Sequence, residues 1–282
     1  MTIRNFLDID PPNQTQVAVF PIAYEQSTSY IKGTQNGPQA ILNASSQVEL
    51  YDSELDYDIS KVGIQTQPVL TTNSLEDIQS KAMPLMEQGK FVVGLGGEHA
   101  VTIPLVTCAS EVYGSIGLIQ FDAHFDLRDS YQGSSVNHAC VLRRCLPLVN
   151  NSLTLGIRSF SIEERDYANQ EGILFLTDLD MHQPEFVFDE YLSQLPEMVY
   201  VTVDFDFFSP AEFPAVGTPV PGGFDWYNGI ALLKQVFESK MVIGIDFVEL
   251  CPKPGCIRSD FAAATLVYKS IGYWLKTRHY NV

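Results

Sequence analysis

Short apolar runs recur along the chain at Val17–Ile22, Phe91–Leu95, Ile116–Phe121, Leu153–Ile157, Ile173–Leu176, Val199–Val203 and Met241–Ile245. They are continuous rather than alternating, as expected for strands buried on both faces of a parallel sheet. Most are followed by a helical pattern. Gly37-Pro38 opens one helix with proline in its first turn. Ser74 and Asp77 resemble a helix-start pair, and Ser161 with Glu164 forms a capping box. The last helix is predicted from near Ser259-Asp260, with Phe261, Ala264, Leu266, Val267, Ile271 and Trp274 at core spacing. Strand and helix thus alternate, which predicts an α/β fold with a mostly parallel sheet and helices on both faces. No low-complexity block or charge run marks a linker. The length of 282 residues and the 45% hydrophobic content suit one core, so a single domain over 1–282 is expected.

Charge narrows the partners. The formal net charge is −17, with only 17 Lys and Arg residues spread along the sequence. Phosphate backbones need clustered cations, so nucleic acid is an unpromising ligand. An acidic field attracts cationic substrates, although acidity also serves solubility alone. The segment Met1–Pro12 has no apolar core and does not read as a signal peptide. No run reaches the roughly 18 apolar residues that would span a bilayer. Cysteines stand at 108, 140, 145, 251 and 256, an odd and sparse set that fits a reducing, cytoplasmic location.

In open α/β sheets, sites form beyond the carboxyl ends of the strands. There the sequence places Gly96-Gly97-Glu98-His99, Asp122-Ala123-His124-Phe125-Asp126, Asp204-Phe205-Asp206, and Asp246 followed by Glu249. If these segments stay extended, Asp122, His124 and Asp126 project together, as do Asp204 and Asp206. With His99 that makes four carboxylates and two imidazoles. They cannot all remain ionised in one cleft without cations. Oxygen and nitrogen donors without thiolate suit Mn²⁺, with Ni²⁺, Co²⁺ and Zn²⁺ left open.

These motifs resemble the ureohydrolase family, which includes agmatinase, arginase, guanidinobutyrase and formiminoglutamase. The matching segments include GGEHA at 96–100, DAHFD at 122–126, VDFDFF at 203–208, NHACVLRR at 137–144, GIRS at 156–159 and DFVELCP at 246–252. They are most similar to agmatinases and span almost the whole chain. The resemblance implies a single-domain three-layer α/β/α fold and a binuclear manganese centre. It implies His99, Asp122, Asp126 and Asp204 on one metal, and Asp122, His124, Asp204 and Asp206 on the other. Water activated there would attack a guanidinium carbon. Asp126 would help pass its proton, His138 would act as proton shuttle, and Glu249 would anchor the guanidinium. His182 and His279 match nothing and are expected at the surface.

The expected activity is hydrolysis of agmatine to urea and putrescine. Guanidinobutyrate, arginine and free guanidine are alternatives, arginine being disfavoured by the stretch Ser134–Asn137. A catalytically impaired metal-binding homologue with a regulatory or interaction role is a further alternative. Its support is Ser209, where the family usually has aspartate, together with Ala215 and Val216 in a segment that is usually richer in glycine and proline. The resemblance also implies a homo-oligomer, a trimer or hexamer. No membrane contact is expected.

Overall fold

The computed structural model of the protein describes residues 5–279, with the backbone alone for His279, so the surface expectation for that side chain lies outside the described residues. Its strands are β1 (Val17–Ala23), β2 (Tyr51–Asp52), β3 (Tyr57–Asp58), β4 (Ile64–Thr66), β5 (Leu70–Thr71), β6 (Phe91–Leu95), β7 (Gly117–Phe121), β8 (Asn151–Ile157), β9 (Leu174–Thr177), β10 (Met198–Asp204) and β11 (Met241–Val248). The helices are α1 (Gly37–Ser45), α2 (Leu75–Glu87), α3 (Thr102–Tyr113), α4 (Val141–Cys145), α5 (Ile162–Glu171), α6 (Asp178–Met181), α7 (Phe188–Leu192), α8 (Trp226–Ser239) and α9 (Arg258–His279).

One sheet runs in the order β4-β1-β6-β11-β10-β7-β8-β9, with β5 also pairing with β1. Every pair in it is parallel. The only antiparallel pair of named strands among the described residues is the short hairpin β2–β3.

The continuous apolar runs have the predicted cause. Along β1, Val17 and Val19 join one core while Ala18, Phe20 and Ile22 join the other. Along β10, Val199, Val201 and Val203 face the first core and Tyr200 the second. The first core lies under α1 and α6–α9, the second under α2–α5. Helices therefore cover both faces, and the three layers are those expected.

The predicted caps are present. The Ser161 hydroxyl accepts from Glu164 N–H while the Glu164 carboxylate accepts from Ser161 N–H. The Ser74 hydroxyl accepts from Asp77 N–H. Strands β4 and β5 carried no readable pattern, because two or three residues are too few to show a period.

The first core is anchored by a ring stack. Trp274, 3% exposed, lies on Phe91 with centroids 4.6 Å apart, and Phe91 meets Phe237 edge-on at 6.4 Å. The stack ties α9 and α8 to the central strand β6. Trp274→Ala should destabilise the fold by about 3–5 kcal/mol, read as a lower denaturant midpoint. A loss under about 1 kcal/mol would show that α9 contributes little to this core.

Candidate metal centre

The central strands β6, β11, β10 and β7 are neighbours, and all end at the same edge. His99 follows β6, Asp122 follows β7, Asp204 closes β10, and Glu249 follows β11. The edge therefore gathers the predicted residues, but not by extended alternation. Strand β7 stops at Phe121, one residue before the first aspartate. The Asp122 Oδ1 then accepts from His124 N–H (2.6 Å), folding the chain into a turn. Asp204 Oδ1 accepts from Asp206 N–H (2.8 Å) and opens a 3₁₀ turn over Phe205–Phe207. Asp126 has φ +53° and Glu249 φ +66°. Left-handed backbone at a residue other than glycine is uncommon and tends to mark functional sites. The expectation that these residues gather rested on a geometry that the backbone does not adopt.

His99 Nδ1 faces three carboxylates: Asp126 Oδ2 at 3.0 Å, Asp122 Oδ2 at 3.1 Å and Asp204 Oδ2 at 3.6 Å. His124 Nδ1 lies 3.0 Å from Asp206 Oδ2 and 3.7 Å from Asp122 Oδ1. Two groups of possible ligand atoms result, His99–Asp122–Asp126 and Asp122–His124–Asp206, each with its atoms within 4.8 Å of one another. Asp122 is common to both. Asp204 belongs to neither group, and its Oδ2 lies 3.6 Å from His99 Nδ1 of the first.

A chain of hydroxyls aims His99. Thr202 Oγ1 donates to Asp246 Oδ1 (2.6 Å) and spends its only proton there. Towards His99 Nε2, 2.9 Å away, it can only accept, so Nε2 carries the ring proton. Thr102 and Tyr200 hydroxyls also donate to Asp246 (3.0 and 2.9 Å). The Nδ1 of His99 is buried without a hydrogen bond of good geometry, and its surroundings are carboxylate oxygens. An imidazole lone pair opposite anionic oxygens is stable only with a positive charge between them, either a proton or a metal ion. Donors of this kind, without thiolate, fit divalent cations.

The electrostatics say the same. Burial opposes a charged His99, yet the close contacts and charges of Asp122 and Asp126 raise its pKa well above the ordinary value. Burial likewise opposes a charged His124, and the Asp206 charge with the Asp122 and Asp206 contacts raises it to about 12. Burial pushes Asp126 up to about 7, with the Asp122 charge adding to it. Asp204 is driven well above the carboxylate range, first by burial and then by the Asp206 and Asp122 charges. Asp122 goes the other way: burial works against its charge, but His124 and His99 hold it below its usual value. Carboxylates so close cannot all be ionised without added positive charge.

The cleft at the cluster is lined by His124, Asp126, Asp204 and Glu249 together with His138, Arg128 and Tyr131. Glu249 lies outside both ligand groups. Its Oε1 accepts from His99 N–H (2.8 Å), leaving Oε2 for another donor. Burial, with the Glu98 charge adding to it, raises its pKa well above the usual carboxylate value against the pull of that N–H. Burial lowers His138 to about 4, so its imidazole is neutral. His182 is half-exposed and stacked on Phe224, as expected of a surface residue.

Sequence reasoning passed over Arg158. Its guanidinium donates to the carbonyls of Asp206, Phe207 (3.2 Å) and Phe208 (3.3 Å), clamping the turn that carries Asp206. Gly223, at φ +84°, admits it, since a Cβ there would lie 2.8 Å from Arg158 Nη2. The GIRS match contained this residue, but an arginine after a strand carries no signal of a carbonyl clamp. The backbones of Ser209, Ala215 and Val216 hold neighbouring segments. Phe213 N–H bonds to the Ser209 carbonyl (3.0 Å), and Cys251 N–H bonds to the Ala215 carbonyl (2.8 Å). Val216 bridges Leu250.

Comparison with known proteins agrees with this geometry. A sequence model of the arginase family matches residues 15–272. The chain is 40% identical to an N(1)-aminopropylagmatine ureohydrolase of Synechocystis over 92% of its own length and 89% of that protein's. It is 34% identical to an agmatinase of Pyrococcus horikoshii, with 96% and 97% covered. The crystal structure of an agmatine ureohydrolase of Thermoplasma volcanium superimposes with a TM-score of 0.89 at 27% identity, covering 100% of this chain and 98% of that one.

Asp246→Asn keeps the size of the group that orients Thr202 and His99 but removes its charge. It should weaken divalent-ion binding about 10–100-fold, measured by calorimetric titration with Mn²⁺, while circular dichroism stays unchanged. Wild-type affinity in this variant would mean that His99 is oriented by packing alone.

Proposed function

The chain belongs to the arginase family, as a hydrolase of its agmatinase-like group, and on that premise we propose that it cleaves agmatine to urea and putrescine at a binuclear manganese centre. The observation that carries this reading is the pair of ligand groups sharing Asp122, with Glu249 beside them but outside them. In the proposal the six residues His99, Asp122, His124, Asp126, Asp204 and Asp206 would hold the metal ions.

Bound cations would supply Lewis acidity, making water a stronger nucleophile near neutral pH. The protein's own groups do the rest. The Glu249 carboxylate accepts from the guanidinium N–H donors and turns the carbon towards the cluster, its own orientation fixed by His99 N–H. Asp126 accepts a proton from the attacking water. As the bond from carbon to the alkyl nitrogen breaks, that nitrogen must gain a proton, and neutral His138 in the cleft wall can pass it on. Urea and an amine leave.

A second reading has specific support. The relative at 40% identity is named for N(1)-aminopropylagmatine, and the one named agmatinase is at 34%. The two substrates share the guanidino end, so the same cluster serves both, and they differ in tail length and number of ammonium groups. Comparing kcat/KM for agmatine, N(1)-aminopropylagmatine, guanidinobutyrate, arginine and guanidine separates them. Urea release from none of these, with Mn²⁺ bound, would end the hydrolase proposal and favour the regulatory alternative. We carry a homo-oligomer and a cytoplasmic location as parts of the proposal. The second is supported by five free cysteines and by the absence, among described residues, of a helix able to cross a membrane.

Glu249→Gln should retain metal content by elemental analysis and lose about 10²-fold or more in kcat/KM. Near-normal catalysis with a lowered thermal midpoint would reduce Glu249 to a loop acid. His138→Asn should lower kcat by about 10²–10⁴-fold with metal content unchanged. An unaltered kcat would remove His138 from proton transfer.

A further inference from the structure

His138 stands where a buried carboxylate, a serine and an imidazole meet. Glu98 follows Gly96-Gly97, whose tight approach lets the chain pass the Tyr24 carbonyl. A Cβ on Gly97 would lie 2.1 Å from that oxygen. The Glu98 side chain is 0% exposed and turns back onto the loop after β1. Its Oε2 accepts from Gln26 N–H and Ser27 N–H, both at 2.6 Å, and its Oε1 accepts from the Ser27 hydroxyl at 2.5 Å. Glu98 is not among the candidate metal ligands. Three bonds to one loop hold that loop in place.

Ser27 links Glu98 to His138. Its hydroxyl has one proton, and Glu98 takes it. Towards His138 the oxygen offers only lone pairs. One accepts the backbone N–H of His138 at 2.9 Å, and Nδ1 of the ring stands 3.5 Å away. On the other side of the ring, Nε2 lies 3.3 Å from the Ser29 hydroxyl, whose proton is free to point at it. A neutral imidazole has one proton to place. With Ser27 offering acceptors to the ring, its hydroxyl oxygen 3.5 Å from Nδ1 and its backbone also hydrogen-bonded to the imidazole, and with a possible donor beside Nε2, the arrangement favours the proton on Nδ1.

We propose that Glu98 and Ser27 form a positioning relay that fixes the Nδ1–H tautomer of His138 and leaves Nε2 as the atom that exchanges protons in the cleft. The purpose assigned to the relay rests on the reading of His138 as the proton-transfer group, but the tautomer itself does not. Without the relay, Nδ1 and Nε2 compete for the proton and part of the population faces the substrate with the wrong nitrogen.

The test uses Ser27→Ala, with Ser27→Thr as the variant that keeps the hydroxyl. Long-range ¹H–¹⁵N spectra of histidine-labelled protein, recorded with diamagnetic Zn²⁺ and assigned by the signal lost in His138→Asn, report the tautomer directly. The proton is expected on Nδ1 in the wild type and in Ser27→Thr, moving at least partly to Nε2 in Ser27→Ala. In the rate arm, Ser27→Ala should lower kcat about tenfold with little change in KM, and add no further loss in a His138→Asn background. A wild-type proton on Nε2, or a tautomer indifferent to Ser27→Ala, overturns the relay. So does an equal loss of kcat in both backgrounds, which is the mark of a general structural effect. If no guanidine is hydrolysed by the wild type, the proposed activity fails while the spectra still decide the relay.

Discussion

Four aspartates and two imidazoles share the carboxyl edge of one parallel sheet, and the charge they must carry there governs the rest of the site. Water is largely excluded: Asp122 is 0% exposed and Asp204 and Asp206 are 3% exposed. Burying unpaired carboxylates is strongly unfavourable, so the cluster needs protons or cations in proportion to its anions. The opposite shifts of Asp122 and Asp204 show the competition between neighbours. Divalent ions would resolve it with fewer particles than protons. The row of residues just inside the sheet is built for the same end. Thr154, Gln120, Thr202 and Asp246 are cross-strand partners on β8, β7, β10 and β11. Within an otherwise apolar core, Gln120 donates to Asp122 (2.8 Å) and Thr202 orients His99.

How much of this could be read from the chain depends on the range of the interaction. Continuous apolar runs predict buried parallel strands because both faces must be covered, and β6 emerges with the bounds Phe91–Leu95 that its pattern suggested. Caps are local, so Ser161 with Glu164 was legible from four residues. The gathering of acids and imidazoles at one sheet edge was legible because acids at the ends of adjacent parallel strands converge. The way they converge was not. Turns closed by Asp122 and Asp204 onto the amides two residues on are invisible to a period-2 argument. The left-handed backbone at Asp126 and Glu249 is held by contacts from distant parts of the chain. Arg158 acts through a carbonyl 48 residues away in sequence and Ser27 through a carboxylate 71 residues away, and no local pattern encodes such partners.

The departures at Ser209, Ala215 and Val216 gain meaning in the same way. As a sequence they weaken the case for activity, because a carboxylate is missing and two apolar residues replace a more flexible run. In the fold, Ala215 and Val216 are buried and bridge to Leu250 and Cys251, the two residues after Glu249. Ala215 N–H is itself held by the Ser259 hydroxyl at the start of α9 (3.1 Å). Ala215 and Val216 thus pack against the backbone that presents Glu249.

That backbone is where stability and chemistry meet. A left-handed glutamate is unfavourable by about 1–3 kcal/mol relative to relaxed geometry. Three fixed contacts hold it: Glu249 N–H bonds to the Gly97 carbonyl (2.8 Å), its Oε1 takes His99 N–H, and Val216 bridges the next residue. Two of the three lead into the Gly96–His99 turn, which also supplies a candidate ligand in His99 and, through Glu98, the support of His138. One turn therefore connects the cluster, the group beside it and the ring at the cleft wall. Its glycines leave no room for compromise, since Gly96 would place a Cβ 2.6 Å from Val101 and Gly97 one at 2.1 Å from the Tyr24 carbonyl. A change in this turn cannot be confined to one function, because the same few backbone atoms fix the positions of all three.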